Sequence, residues 1–323
     1  MTKKILLSGI QSTGTLHIGN YFGAIKQFVD MQDSYDARIF VANLHSVTTV
    51  QDKEKLERLT RDVVIDYLAC GLDPEKVILF LQSSTPQVTE LAWYLNCLIT
   101  VPYLMRAHSY KDKVANNIEP SAGLFTYPML MAADMLIQDA DVVPVGQDQK
   151  QHVEFTRDVA IKFNNAFGET FKLPEPMIMD NVAVVPGLDG QKMSKSYGNT
   201  IPLFAEDAEI DKLCARVVTD SLRPEDPKNP EESNIYKLHA LFLDDSSKQN
   251  LAEKYRAGGM GYKEAKENLA EAVKAFIGPM RAKRKEIESN TKYVDQVLKA
   301  GGEKAYAIAE AKLKEIRSKV GIL

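Results

Sequence analysis

The chain is poor in several features that would narrow its role at once. It holds three cysteines, Cys70, Cys97 and Cys214. An odd number at such wide spacing builds neither a disulfide framework nor a CxxC metal knuckle. No apolar run approaches the roughly 20 residues needed to cross a bilayer, and the opening "MTKK" leads into no signal-peptide core. A soluble, cytoplasmic protein is therefore expected, with no membrane partner. Neither sign of charge dominates: a net −4 leaves no global field for a polyanion, so a nucleic acid would have to be met by local basic patches. Low-complexity tracts and fixed-period repeats are missing, which excludes solenoids and disordered arrays. His108, His152 and His239 stand at no metal-ligand spacing, and no Ser/His/Asp set is marked out, so no resident metal is expected.

What the chain has is length and an ordered alternation. Its 323 residues, 45% hydrophobic and 26% charged, exceed one typical domain and can bury two cores. Beta-type runs at Ile5 to Leu7, Arg38 to Ala42, Val77 to Leu81 and Val142 to Val145 alternate with amphipathic segments such as Lys55 to Cys70 and Asp148 to Phe163. That order predicts an α/β fold, a parallel sheet covered by helices. Beyond about residue 204 the strand-like runs stop. Tyr293, Val294, Val297 and Leu298 make one helical pattern, which Gly301-Gly302 is expected to end; Ala305, Ile308, Ala309, Leu313, Ile316 and Val320 make another. Residues 1–204 are thus expected as the sheet domain and 205–323 as an all-helical one. The turn-rich "SLRPEDPKNPEESN", Ser221 to Asn234, reads as an exposed loop of the second.

Two glycine-bearing stretches stand out. The first, "SGIQSTGTLHIGN" from Ser8 to Asn20, puts Gly9, Gly14 and Gly19 between a buried strand and a helical pattern. A strand-to-helix turn offers free amides at the positive end of a helix, which suits phosphate. The stretch matches neither GxGxxG nor the Walker loop, so glycines alone weigh a plain tight turn equally with a nucleotide site. The second, "PGLDGQKMSKSYGN" from Pro186 to Asn199, is a loop with two lysines three apart. For exposed lysines alone, a solvated charged loop is the ordinary reading.

Read together, TLHIGN and KMSKS resemble the paired HIGH and KMSKS signature of class I aminoacyl-tRNA synthetases, in the expected order and about 170 residues apart. KMSKS is complete from Lys192 to Ser196; His17, Ile18 and Gly19 match, while Asn20 stands in the last position, as is common in the tryptophanyl branch. "SGIQ", "YPMLMAADMLI" from Tyr127 to Ile137 and "VPVGQDQKQHVEFTRD" from Val143 to Asp158 agree with a bacterial-type member of that branch. The agreement spans most of the first 200 residues and is looser beyond.

The resemblance implies a Rossmann-like nucleotide-binding domain joined to a C-terminal all-helical domain that binds the tRNA anticodon. It implies a ligase that activates L-tryptophan with ATP to tryptophanyl-adenylate and pyrophosphate, then passes tryptophan to the 3′ end of tRNA(Trp). The attacking carboxylate is already ionised at neutral pH, so alignment and charge stabilisation suffice without a general base. By the same resemblance Gln11, Ser12, Thr13, Gly19 and Asn20 cradle the nucleotide, with His17 near the phosphates. Gly146, Gln147 and Asp148 hold adenosine, and Val184 lies against the adenine edge. Lys192, Met193, Ser194, Lys195 and Ser196 form the KMSKS contact, with Lys192, Lys195 and Lys113 as phosphate-binding cations on a loop expected to move. Mg²⁺ is expected with ATP as a charge partner, although the sequence offers no dense carboxylate cage to hold it independently. The four-cysteine iron–sulfur cluster of some relatives is not expected, because only Cys214 lies beyond residue 100.

Asp134 sits among Met129, Met131, Met135, Leu136 and Ile137, and a carboxylate buried there needs a partner. Taken alone it would bond backbone or an arginine; the resemblance instead points it at the indole N–H, a donor-only group. Leu7, Met131, Val143 and Val145 fit an indole slot, although a plain core would show the same side chains. The family places Tyr127 and Gln149 as candidates for the ammonium and carboxylate of the amino acid, and His45 near it. For tRNA, "MRAKRKE" from Met280 to Glu286 and Lys312, Lys314, Arg317 and Lys319 offer phosphate contacts. Relatives pair as homodimers through a segment at about residues 85–135. The alternatives are the sister tyrosyl enzyme, an adenylyltransferase for another small acid, and a non-catalytic RNA-binding paralogue.

Overall fold

A computed structural model describes residues 3–106, 121–146, 150–178 and 185–322. The chain divides into two compact units: Met1–Gly14, Gln27–Asp180 and Asn290–Leu323 make one, Thr15–Lys26 and Asn181–Ser289 the other. This division does not follow the expected boundary at residue 204. The turn around His17 and the KMSKS loop fall with the mid-chain helices, and the last helix falls with the sheet.

In the first unit five strands run parallel in the order β3-β2-β1-β4-β5: β1 Ile5–Ile10, β2 Asp36–Val41, β3 Ile78–Leu81, β4 Val142–Val145 and β5 Glu175–Ile178. This is the Rossmann-like arrangement that the strand–helix alternation predicts, with β5 as an addition. "EPMI" is too short and too broken by proline to read as a strand; β4 supplies its partner. The order reverses between β1 and β4, so the loops leaving Ile10 and Val145 open at the point where such sheets take ligands. Among the helices of this unit are Lys53–Ala69, Gln87–Leu98, Ala122–Ile137 and Lys150–Phe167. Two of them start at side-chain caps: Asp52 accepts the Lys55 amide at 2.7 Å, and Ser121 that of Leu124 at 3.2 Å.

The expectation that Gly301-Gly302 ends a helix is corrected. Thr291–Val320 is one continuous helix, and the glycines are where it lies against the sheet edge: a Cβ at Gly301 would come 1.8 Å from the Leu79 carbonyl oxygen of β3. The tertiary contact overrides the local helix-breaking tendency and covers an edge strand. This packing also corrects the reading of Lys312 and Arg317 as tRNA contacts. Lys312 is buried, with Nζ donating to the Thr170 carbonyl at 2.6 Å and lying 3.2 Å from Asp139, while Arg317 holds Glu90 with a two-pronged bond at 2.7 and 2.5 Å.

The second unit packs helices Asp207–Ala215, Asn234–Ala240, Asp245–Ala257 and Tyr262–Ser289 around a core that includes Ile18, Met193, Ile201, Leu238, Leu269 and Val273. The helix after His17 opens as Ile18–Asn20 and widens to a π turn over Tyr21–Ile25, which lays Phe22 on Phe276 with ring centroids 5.5 Å apart. The loop from Ser221 to Asn234 is pinned from within, because the buried Lys228 ammonium donates to the carbonyls of Arg223, Pro224 and Asp226 at 2.9, 3.2 and 2.9 Å. Arg281 of the expected basic surface pairs with Asp207 and the exposed Lys285 with Glu206, while Lys283, Lys314 and Lys319 are further exposed members of that set.

Candidate active site

The three glycines of the opening stretch serve three different needs. Gly9 pairs with Phe40 in the sheet, and a Cβ there would sit 2.6 Å from the Phe40 carbonyl oxygen. Gly14 has φ +150, a backbone angle that other residues avoid. A Cβ at Gly19 would meet His17 Nδ1 at 2.9 Å and Met193 Cβ at 3.3 Å, so its bareness lets the KMSKS loop pack against the first turn. That packing is a zipper: the Ile18 amide donates to the Ile201 carbonyl at 3.0 Å and the Leu203 amide to that of Leu16 at 2.9 Å. The two motifs thus lie together inside the second unit.

His17 is buried, and its Nδ1 has no hydrogen-bond partner. Burial first, and repulsion from the Lys195 ammonium second, lower its pKa to about 4, so the imidazole is neutral at neutral pH. Lys195 is exposed along much of its surface, yet enough protein surrounds it that desolvation pulls its pKa below the ordinary lysine value. Both basic groups are disfavoured in their charged forms, a penalty that a nearby anion would relieve. Asn20 caps the turn, accepting the His17 amide at 3.0 Å. Met193 is buried beside Ile18, and Lys192 and Ser196 are exposed.

At the end of β1, Gln11 and Thr13 are exposed, but Ser12 is fully buried and turned inward. Its amide donates to Ser46 Oγ at 2.9 Å, and its hydroxyl joins a chain with Ser46 at 3.0 Å and Thr60 at 3.1 Å. Ser12 therefore shapes the turn instead of facing a phosphate. Gly146 is exposed directly after β4. Lys113, Gln147, Asp148, Gln149 and Val184 lie outside the described residues.

Asp134 is buried, as its apolar neighbourhood predicts, but neither backbone nor arginine holds it. Gln82 Nε2 donates to both carboxylate oxygens, at 3.0 and 2.9 Å, and His45 Nε2 lies 3.1 Å from Oδ2. Gln82 cannot turn over, since its Oε1 accepts the amides of Leu44 at 3.0 Å and His45 at 3.2 Å. Desolvation raises the Asp134 pKa, against the opposing pull of His45 and then Gln82. An ionised carboxylate has about four acceptor sites, so Oδ1 retains room for a donor. Gln82 escaped the sequence reading because a single glutamine after a short strand carries no periodic signal; only its position past the end of β3 could have drawn attention.

Leu7 and Val143 belong to one apolar cluster, against which the half-buried Met131 and Val145 pack. All four expected slot residues are therefore gathered in one place. Tyr127 is half-buried, with its hydroxyl 2.9 Å from Nε2 of His152, a histidine to which the sequence reading gave no chemistry. The Tyr127 ring also stands edge-on to His45 at 6.1 Å.

Residues 2–278 match the family model described as tRNA synthetases class I (W and Y). The chain belongs to that family of class I synthetases. Within it, the chain falls in the bacterial-type tryptophanyl branch. A tryptophan–tRNA ligase of Fusobacterium nucleatum is 53% identical over 318 residues, covering 98% of each chain. One from Rhodopirellula baltica is 47% identical over 98% of this chain and 99% of its own. The crystal structure of a tryptophanyl-tRNA synthetase from Campylobacter jejuni complexed with ADP and tryptophan aligns with a TM-score of 0.92 at 46% identity, over 98% of this chain and 99% of that one.

Proposed function

We infer that this chain is a tryptophan–tRNA ligase, which activates L-tryptophan with ATP and transfers it to the 3′ end of tRNA(Trp). The single observation that carries the reading is the near full-length identity to ligases of that specificity. The family model spans tryptophan and tyrosine enzymes alike, so it is these relatives that favour tryptophan. The chemistry of the pocket agrees: an acceptor-only carboxylate locked in an apolar setting suits an indole N–H, whereas a phenol would also ask for a donor.

In the first step the tryptophan carboxylate attacks the α-phosphorus of ATP and pyrophosphate departs. Lys192 and Lys195 balance charge on the leaving phosphates, and neutral His17 donates one N–H to a phosphate oxygen. Contacts that strengthen as the triphosphate reaches its reactive shape lower the barrier more than they tighten ground-state binding. Mg²⁺ bound with ATP would supply further charge neutralisation there. Among the described residues no group of three or more His, Cys, Asp or Glu could hold a metal ion. Lys113, Asp148 and Gln149 keep their family roles as proposals.

A cytoplasmic location is the reading proposed for a ligase that charges tRNA. Among the described residues no helix is long and apolar enough to cross a membrane. Exposed Trp93, Cys97, Val101 and Met105 crowd one short segment, and a second copy of the chain is the proposed cover for it. Pyrophosphate exchange measured with each of the twenty amino acids tests the whole reading. Exchange that depends on tryptophan is expected; exchange with tyrosine alone, or with none, would overturn it.

A further inference from the structure

The KMSKS lysines project from a loop whose shape is set by a residue outside the five-letter motif. Asn199 is buried, at 3% exposure, directly beneath the loop. Its side-chain oxygen accepts the Ser194 amide at 2.8 Å, and its Nδ2 donates to the Lys192 carbonyl at 3.2 Å and to Asp189 Oδ1 at 2.7 Å. One amide group therefore grips the chain on both sides of Met193, between the two lysines. Only a primary amide can accept once and donate twice in this space. The fit leaves no slack: a Cβ at Gly187 would fall 2.2 Å from Asn199 Nδ2.

The base on which the grip rests is fixed in turn. The Leu188 amide donates to the Asn199 carbonyl at 2.9 Å, and the Leu188 carbonyl accepts the Val218 amide at 2.8 Å. Asn234, first residue of the helix Asn234–Ala240, donates to the carbonyls of Gly187 and Leu188 at 3.0 and 3.2 Å. Met193, between the gripped residues, is itself locked by burial against the core of the same unit.

We propose that Asn199 is a positioning residue for ATP activation, clasping the loop so that Lys192 and Lys195 leave the backbone in fixed directions toward the triphosphate. The proposal rests on reading those lysines as triphosphate ligands. Asn199 touches no substrate and acts through the loop. Its donation also holds the Asp189 carboxyl below the usual carboxylate range, so the two form a matched amide–carboxylate pair.

The test uses the full chain with Asn199→Asp, Asn199→Ser and the exchanged pair Asn199→Asp with Asp189→Asn. Asn199→Asp keeps the shape but sets a carboxylate against Asp189 and the Lys192 carbonyl. Tryptophan-dependent pyrophosphate exchange is expected to lose about a hundredfold in kcat/KM for ATP, as for other misplaced catalytic groups. Tryptophan affinity, read by calorimetry, is expected to hold within about twofold, and hydrogen exchange at the Ser194 amide to speed up. The exchanged pair restores one donor–acceptor contact and should recover about tenfold of the loss, a rescue that general destabilisation would not show. Asn199→Ser, neutral and too short to reach, reads the same loss if the aspartate variant does not fold. ATP kinetics unchanged in both single variants, or tryptophan affinity falling in step with them, would overturn the proposal. An unsubstituted protein with no tryptophan-dependent exchange would instead overturn the functional reading, and Ser194 hydrogen exchange would still decide whether the clasp exists.

Discussion

Replacing Asp134 by asparagine keeps the outline of the side chain and removes its charge, and the surrounding bonds show how the change is absorbed. Gln82 is held by the Leu44 and His45 amides, so its Nε2 must go on donating toward residue 134. The new amide meets this by setting its oxygen where Oδ1 now accepts Gln82 at 3.0 Å. Its Nδ2 then faces His45 Nε2, which accepts in the appropriate neutral tautomer, and the 2.9 Å contact between Gln82 and Oδ2 is lost. Against that lost contact stands relief of desolvation, the largest influence on the raised Asp134 pKa. A carboxyl with a raised folded pKa binds its proton more tightly when folded, so the unsubstituted protein loses stability as pH rises through that range and the variant does not. The two effects oppose each other, and stability at neutral pH is expected within about 1 kcal/mol of the unsubstituted protein.

Tryptophan binding moves much further, because a charge-assisted acceptor becomes a neutral one. The expected loss is about 1–2 kcal/mol, or about 5- to 30-fold in affinity. Asp134→Ala, which also strands Gln82 and His45, is expected to lose about 2–5 kcal/mol. Calorimetric titration with tryptophan, and with tryptophan methylated on the indole nitrogen, separates the causes. The methylated ligand has no donor to lose, so the asparagine substitution should alter its affinity little. Equal losses for both ligands, or an unchanged tryptophan affinity, would refute the assignment of Asp134 to the indole.

His17 should make folding stability fall as pH drops from about 6.5 toward about 4, because a depressed histidine pKa means the unfolded chain takes up the proton first. At about 1.4 kcal/mol per tenfold, the full effect is up to about 3 kcal/mol; urea titrations across that range should show it, and His17→Gln should flatten it. Adding ATP should raise the histidine pKa and move the fall to lower stability cost, read in the same titrations. Gly301→Ala should destabilise by about 3 kcal/mol, although glycine to alanine inside a helix ordinarily stabilises by about 1 kcal/mol, because the new methyl group meets the Leu79 carbonyl; thermal melting decides the sign. Trp93 is the only tryptophan and is 67% exposed, so if a second copy covers its segment the fluorescence should shift to shorter wavelength as concentration rises through the dimer dissociation range. A concentration-independent spectrum together with a monomeric mass would remove the dimer.

Local sequence by itself determined the elements whose signal is carried by neighbours in the chain. The four main strands are short apolar runs, and each run expected as a strand forms one in a single parallel sheet, whose order only the structure sets. The family was legible because KMSKS and the His17 turn are compact words, and Asp134 stood out because a carboxylate among methionines is locally anomalous. Tertiary structure alone decided the rest. Gly301-Gly302 reads as a break until Leu79 is brought against it, and Lys312 and Arg317 read as surface charge until Thr170 and Glu90 meet them. Gln82 and Asn199 are ordinary amides in the sequence and become central only where the fold surrounds them with Asp134 or with the lysine loop. Periodicity records which side of an element is buried, whereas a hydrogen bond between residues far apart in the chain leaves no local mark, so such contacts wait on the fold.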